Sequence, residues 1–119
     1  MKIRLNVDRQ TATAKLYDNP TARDFAALLP LSLTLTDYAR IERIAYLPRK
    51  LAAGAAESTV PVKEGDLAYY APWGNLAIFV EGGTGNYTDD LTRLGAVEMG
   101  LAALQRPGSL RVRIERLPD

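Results

Sequence analysis

Apolar residues recur at every second position in one short segment after another, and this limits what the chain can fold into. Ile3, Leu5 and Val7 alternate with Lys2, Arg4 and Asn6. Leu31, Leu33 and Leu35 alternate with Ser32, Thr34 and Thr36, and Leu110, Val112 and Ile114 with Arg111, Arg113 and Glu115. A period of two places one set of side chains on one face of a strand and the other set on the opposite face. The runs are short and broken by turn residues, which predicts a barrel or a sandwich built mostly from β-strands.

Along the chain the pattern predicts a strand over 2–7, a polar turn at Asp8-Arg9-Gln10, and a strand over 11–17 that makes an opening hairpin. Asn19 is placed to cap a short helix and Pro20 suits its first turn; Ala22, Phe25, Ala26 and Leu29 then follow at i, i+3, i+4 and i+7 until Pro30. A half-buried strand follows from Leu31. Residues 37–50 fit neither period, because Ile41, Ile44 and Leu47 are three apart, and read as a short strand or an irregular segment ending at Pro48. Residues 52–63 read as a surface loop. Strands are expected over 66–71, 76–81 and 91–97, one or two helical turns over 99–104, and a last strand over 110–117. That is about eight short strands and two short helices in one domain over residues 1–119, with no internal repeat and no linker.

Composition removes several functions. The chain has no cysteine and no histidine, so disulfides, thiolate nucleophiles, Cys/His zinc sites and Ser-His-Asp chemistry are excluded. The net charge of +1 gives no electrostatic footprint for a polyanion, so no nucleic-acid partner is expected. No segment approaches the ~20 apolar residues that span a bilayer, and the alternating N-terminus has no secretory h-region. The expectation is a cytoplasmic protein with no membrane partner, no metal and no cofactor.

Several strings, in order, resemble the cyclophilins, the family of prolyl isomerases. Thr11-Ala12-Thr13-Ala14-Lys15-Leu16, followed by Asn19-Pro20-Thr21-Ala22-Arg23-Asp24-Phe25-Ala26-Ala27-Leu28, is similar to that family's second strand and first helix, where a Phe plugs the barrel end. Leu94-Gly95-Ala96-Val97 through Leu104 is similar to its late strand and second helix, and Gly65 to Ala71 to another strand. More closely, Asp18-Asn19-Pro20-Thr21-Ala22 and Tyr70-Ala71-Pro72-Trp73-Gly74-Asn75 resemble a bacterial group of small cyclophilin-like proteins of unsettled function. The resemblance implies a closed cyclophilin-like β-barrel with two short helices covering the ends, here the Phe25 segment and the Met99–Leu104 turns.

The resemblance also implies a site. A prolyl isomerase uses an Arg guanidinium on the substrate around the prolyl amide, with apolar side chains seating the ring. Ile41-Glu42-Arg43-Ile44 is the comparable string, so Arg43 is the catalytic candidate; the plain alternative is an Arg paired in solvent with Glu42 or Asp37. The family's Gln, Gly pair, ring-seating Phe and pocket His have no counterpart here, although Tyr87 falls near its loop Trp. Tyr46, Tyr70 and Trp73 are candidates for an aromatic ligand-binding wall, and Asn75 for an amide contact. The alternatives are that Trp73 plugs a barrel end and that Asn75 serves its turn. Gly82-Gly83-Thr84-Gly85 lacks the Lys-Ser/Thr of a phosphate loop and reads as a plain loop, and Asp89-Asp90 as solvated carboxylates. Arg106, Arg111, Arg113 and Arg116 read as the wet face of an edge strand.

These readings imply a non-catalytic or weakly active module that binds an extended peptide or a small amide ligand. The alternatives are a weak peptidyl-prolyl isomerase using Arg43, and a self-associating homo-oligomer.

Overall fold

In a computed structural model, residues 1–52, 60–82 and 85–118 are described. Eight strands alternate with two short helical elements: β1 Lys2–Val7, β2 Gln10–Leu16, α1 Pro20–Ala26, β3 Leu31–Tyr38, β4 Glu42–Tyr46, β5 Asp66–Tyr70, β6 Asn75–Phe79, β7 Leu91–Met99, a 3-10 turn Leu101–Leu104, and β8 Leu110–Arg116. The strands close into an antiparallel barrel in the order β1-β2-β7-β5-β6-β4-β3-β8, with β8 pairing back to β1. Eight strands enclose an interior just wide enough for side chains to fill. Ile3, Leu5, Val7, Ala14, Leu35, Leu67, Leu76, Ile78, Leu94, Val112 and Ile114 fill it. The predicted barrel is therefore present.

One end is closed by α1. Asn19 caps the helix by accepting a hydrogen bond from the Ala22 N–H at 2.8 Å, Pro20 stands in the first turn, and Phe25 is fully buried. The helix stops at Ala26, earlier than the apolar spacing to Leu29 implied. Leu28 and Leu29 pack against the core from the following turn. Leu104, in the 3-10 turn, is also fully buried. Met99 is not part of this plug: it ends β7 and lies exposed. Gly100 separates strand from turn with φ of 80°, and a Cβ there would lie 2.3 Å from the Thr11 carbonyl oxygen.

One expectation is narrowed and one is corrected. Of the two readings of residues 37–50, the short strand is present as β4, and β3 continues to Tyr38 to form a hairpin with it, in which Tyr38 faces Glu42. The turn holds Ala39 and Arg40 at φ of 52° and 66°, and neither residue type announces a left-handed turn. The charged β8 is not an edge strand, because it lies between β1 and β3 in the closed barrel; Arg111 and Arg113 simply face outward.

β5 and β6 are buried on both faces. Leu67, Tyr69, Leu76 and Ile78 point into the barrel, while Ala68, Ala77 and Phe79 join Ile44, Val62 and Tyr87 in a second cluster outside it. This outer layer exists because residues 60–62 and 85–88 fold back over the sheet. Val62 N–H donates to the Gly85 carbonyl and Tyr87 N–H to the Val60 carbonyl, both at 3.0 Å. Most of the 52–63 loop, and Gly83-Thr84 of the glycine loop, lie outside the described residues.

Candidate functional site

The outer face of β3, β4, β6, β5 and β7 carries three rows of paired side chains. Tyr38, Glu42 and Phe79 form the first row. Thr36, Ile44, Ala77 and Ala68 form the second. Tyr46, Asn75, Tyr70 and Leu91 form the third. Paired residues project to the same side of a sheet, so each row is a strip of adjacent side chains. Between the first and third rows lies a cleft of about 310 Å³, within the size range of small-ligand sites.

Its apolar surface comes from Ile41, Ile44, Val62, Phe79 and Leu91. Its aromatic side is a set of three rings. Trp73 meets Tyr38 with ring centroids 5.4 Å apart at 80°, and Tyr70 with centroids 5.3 Å apart at 89°. Trp73 reaches this position from the β5–β6 turn, where Gly74 has φ of 64° and its N–H bonds the Ala71 carbonyl. Trp73 remains 46% exposed and Tyr38 43% exposed, so ring surface faces solvent. Trp73 is a wall of the cleft and not a barrel plug.

The polar groups of the cleft are Glu42, Asn75, Asn86 and Thr88; no Lys or Arg lines it among the described residues. Glu42 is half-buried, and burial pushes its carboxyl above the ordinary glutamate range. No described residue hydrogen-bonds or ion-pairs with that carboxylate. Asn75 is 1% exposed, and its Nδ2 donates to the Leu76 carbonyl at 3.3 Å while its Oδ1 has no partner. A buried acceptor left unpaired costs about 1–3 kcal/mol, which a ligand donor could recover.

Arg43 does not belong to this cleft. Side chains alternate along β4, so the residue between Glu42 and Ile44 points the other way. Arg43 is 2% exposed; its Nε donates to the Leu104 carbonyl at 2.9 Å and its Nη1 to the Gly108 carbonyl at 3.0 Å, and the guanidinium also pairs with Asp37. The Asp37 alternative named the right partner but the wrong environment, since this Arg is buried. Its hydrogen bonds tie the 3-10 turn and the 107–108 turn to the barrel end. On that side Arg43 lines a separate hollow together with Asp37, Arg40, Glu81 and Gln105.

The other candidates divide. Tyr70, Trp73 and Asn75 line the cleft together. Asn75 begins a strand and is not in the turn itself. Tyr46 occupies the third row but is 65% exposed and stands outside the cleft. Tyr87 is buried beneath the loop that covers the sheet, and its hydroxyl donates to the Asp66 carboxylate at 2.8 Å. Burial and that carboxylate push the Tyr87 phenol strongly upward, so it stays protonated. Tyr38, Glu42 and Phe79 were missed. Parity along a hairpin at 37–46 would have placed Tyr38 beside Glu42, had the Ala39-Arg40 turn been recognisable.

Among the described residues no group of three or more His, Cys, Asp or Glu side chains could hold a metal ion, and no helix is long and apolar enough to cross a membrane. Among the described residues the cleft presents an aromatic corner, one carboxyl and an asparagine whose amide oxygen has no partner.

The model of the cyclophilin-like family matches residues 5–115. A hypothetical protein of Archaeoglobus fulgidus, known from a solution structure, shares the fold with a TM-score of 0.74 at 19% identity, covering 98% of this chain and 95% of that one. No curated protein matches the chain.

Proposed function

The chain belongs to the cyclophilin-like family, and from that premise we propose that it is a binding module whose outer cleft holds an extended peptide segment or a small amide ligand without turning it over. The observation that carries this reading is the buried, unpartnered Oδ1 of Asn75, a residue that lines the aromatic cleft. Such an oxygen accepts from a ligand amide N–H, while Tyr38, Trp73 and Tyr70 pack against the ligand's apolar parts.

The alternative, a weak prolyl isomerase, needs a cation beside the prolyl amide to lower a barrier of ~18–20 kcal/mol. Arg43 commits its Nε to Leu104 and its Nη1 to Gly108 and Asp37, on the side of β4 away from the cleft. This favours binding over catalysis.

Trp73 is the only tryptophan, so intrinsic fluorescence reports on the cleft directly. Titration with a panel of N-acetyl amino acid N-methylamides is expected to give a saturable change with at least one member. Asn75→Leu, close to Asn in size but without the acceptor, is expected to weaken that binding roughly tenfold, the worth of one buried hydrogen bond. Absence of any saturable change up to millimolar ligand contradicts the reading. So does acceleration of proline isomerisation in a chromogenic peptide that disappears in Arg43→Lys.

A further inference from the structure

We infer that the cleft is selective for an organic cation, an alkylammonium head seated against Tyr38, Trp73 and Tyr70 with Glu42 as its counter-charge. This rests on the binding reading above and names the chemical class of ligand.

Three observations converge on it. The first is ring geometry. Trp73 stands nearly perpendicular to both tyrosines, at 80° and 89°, with centroids 5.4 and 5.3 Å away. At these distances the rings pack edge to face on one another, and all three residues line the cleft. The negative face of an aromatic ring attracts a cation within about 6 Å of its centroid, and clustered aromatic rings recognise methylated ammonium groups. An apolar group gains from the rings too, so geometry alone does not decide.

The second is charge. Among the described lining residues Glu42 is the one carboxylate, and no Lys or Arg neutralises it. Tyr38 faces it from β3 and Phe79 from β6. The nearest basic residue in sequence, Arg43, is turned to the opposite face and bound to Asp37. Across the cleft, on β5, the facing ionisable group is the Tyr70 phenol. A half-buried carboxylate with no cation opposite is an electrostatic vacancy of one sign. Its raised titration is the expected consequence of burial without a partner.

The third is placement. Glu42 and Tyr38 are directly paired across β4 and β3, so the carboxylate borders the aromatic cluster. Asn75 lies at the other side of the cleft, beside Tyr70. A ligand carrying both an ammonium and an amide would meet Glu42 and the rings with one end and Asn75 Oδ1 with the other.

The test is calorimetric titration of the whole chain with two isosteres. One is N-acetyl-trimethyllysine N-methylamide. The other is its neutral analogue, with a tert-butyl carbon in place of the trimethylammonium nitrogen. The expected result is at least tenfold tighter binding of the cation, a preference that falls severalfold in Glu42→Gln and as pH is lowered through the Glu42 titration. Tetramethylammonium, added as a competitor, separates the sources. Competition supports a site that also serves free small cations, and its absence, with the isostere preference intact, supports a cation carried on an amide backbone. Equal binding of both isosteres overturns the cation inference and leaves the binding reading standing. Binding of neither overturns the cation inference, and the binding reading falls with it only if the N-acetyl amino acid N-methylamide panel also gives no saturable change.

Discussion

Glu42 and Arg43 are adjacent in sequence and lie on opposite faces of β4: the carboxylate borders the outer cleft, and the guanidinium is sealed against the Leu104 and Gly108 carbonyls at the barrel end. One strand thus separates a charge bound into the barrel end from one that borders the cleft. Swapping their roles would require a one-residue slip of β4 against β3 and β6, which would also turn Ile44 into the barrel.

Arg43 is accordingly expected to matter for folding. Arg43→Ala leaves two backbone carbonyls short of donors and a void at the barrel end, and should cost about 3 kcal/mol of stability. Urea unfolding followed by circular dichroism measures this. Ligand affinity at saturation of the folded fraction should stay within about twofold, since the residue is outside the cleft.

Glu42 gives a pH signature of known sign. Burial raises its titration in the folded state, so the folded state disfavours the carboxylate. The favourable contribution is fully present below the unfolded-state value, ~4.3, and is lost as pH rises through the higher folded-state value. Glu42→Gln should therefore stabilise the unliganded protein at neutral pH and make no difference near pH ~3, where the group is protonated in both states. The gain should be below about 1 kcal/mol, because half of the side chain is still in water. Thermal melts of both proteins across this range test the sign.

Tyr87→Phe removes the hydroxyl that donates to Asp66 while keeping the ring in the outer cluster. Because the Asp66 carboxylate still accepts from the Lys63 N–H at 3.0 Å, the cost should be about 1–2 kcal/mol and not more. Amide hydrogen exchange should show faster opening of residues 60–62 and 85–88 than of β1 or β8.

Gly100→Ala is expected to be among the most damaging single substitutions. The residue sits at φ of 80° and its new Cβ would press 2.3 Å from the Thr11 carbonyl oxygen, so both backbone and space refuse it. A loss of about 2–4 kcal/mol, read by denaturant unfolding, is the expected outcome.

Alternation carried most of the fold into view. Ile3-Leu5-Val7 and Leu110-Val112-Ile114 point inward as their spacing requires, and Asn19-Pro20 starts α1. The β3–β4 hairpin was hidden because its turn uses Ala39 and Arg40, residue types with no left-handed preference. Losing that hairpin meant losing the parity of β4, and with it the sides on which Glu42 and Arg43 lie. The resemblance to a Phe-His-Arg-Val string supplied a residue type at position 43 but not the direction in which it points. Trp73, Tyr70 and Asn75 were legible because their turn stands out in the sequence. Tyr38 and Phe79 were not, because they join the cleft only through pairing across β3, β4 and β6.

The most direct measurement is residue-by-residue mapping of a bound amide ligand by nitrogen-edited NMR of the labelled chain. The account predicts shifts at Tyr38, Glu42, Asn75 and the Trp73 indole, with Leu104 and Gly108 unmoved. Shifts gathered around Arg43, Leu104 and Gly108, with the Trp73 indole unchanged, would contradict it.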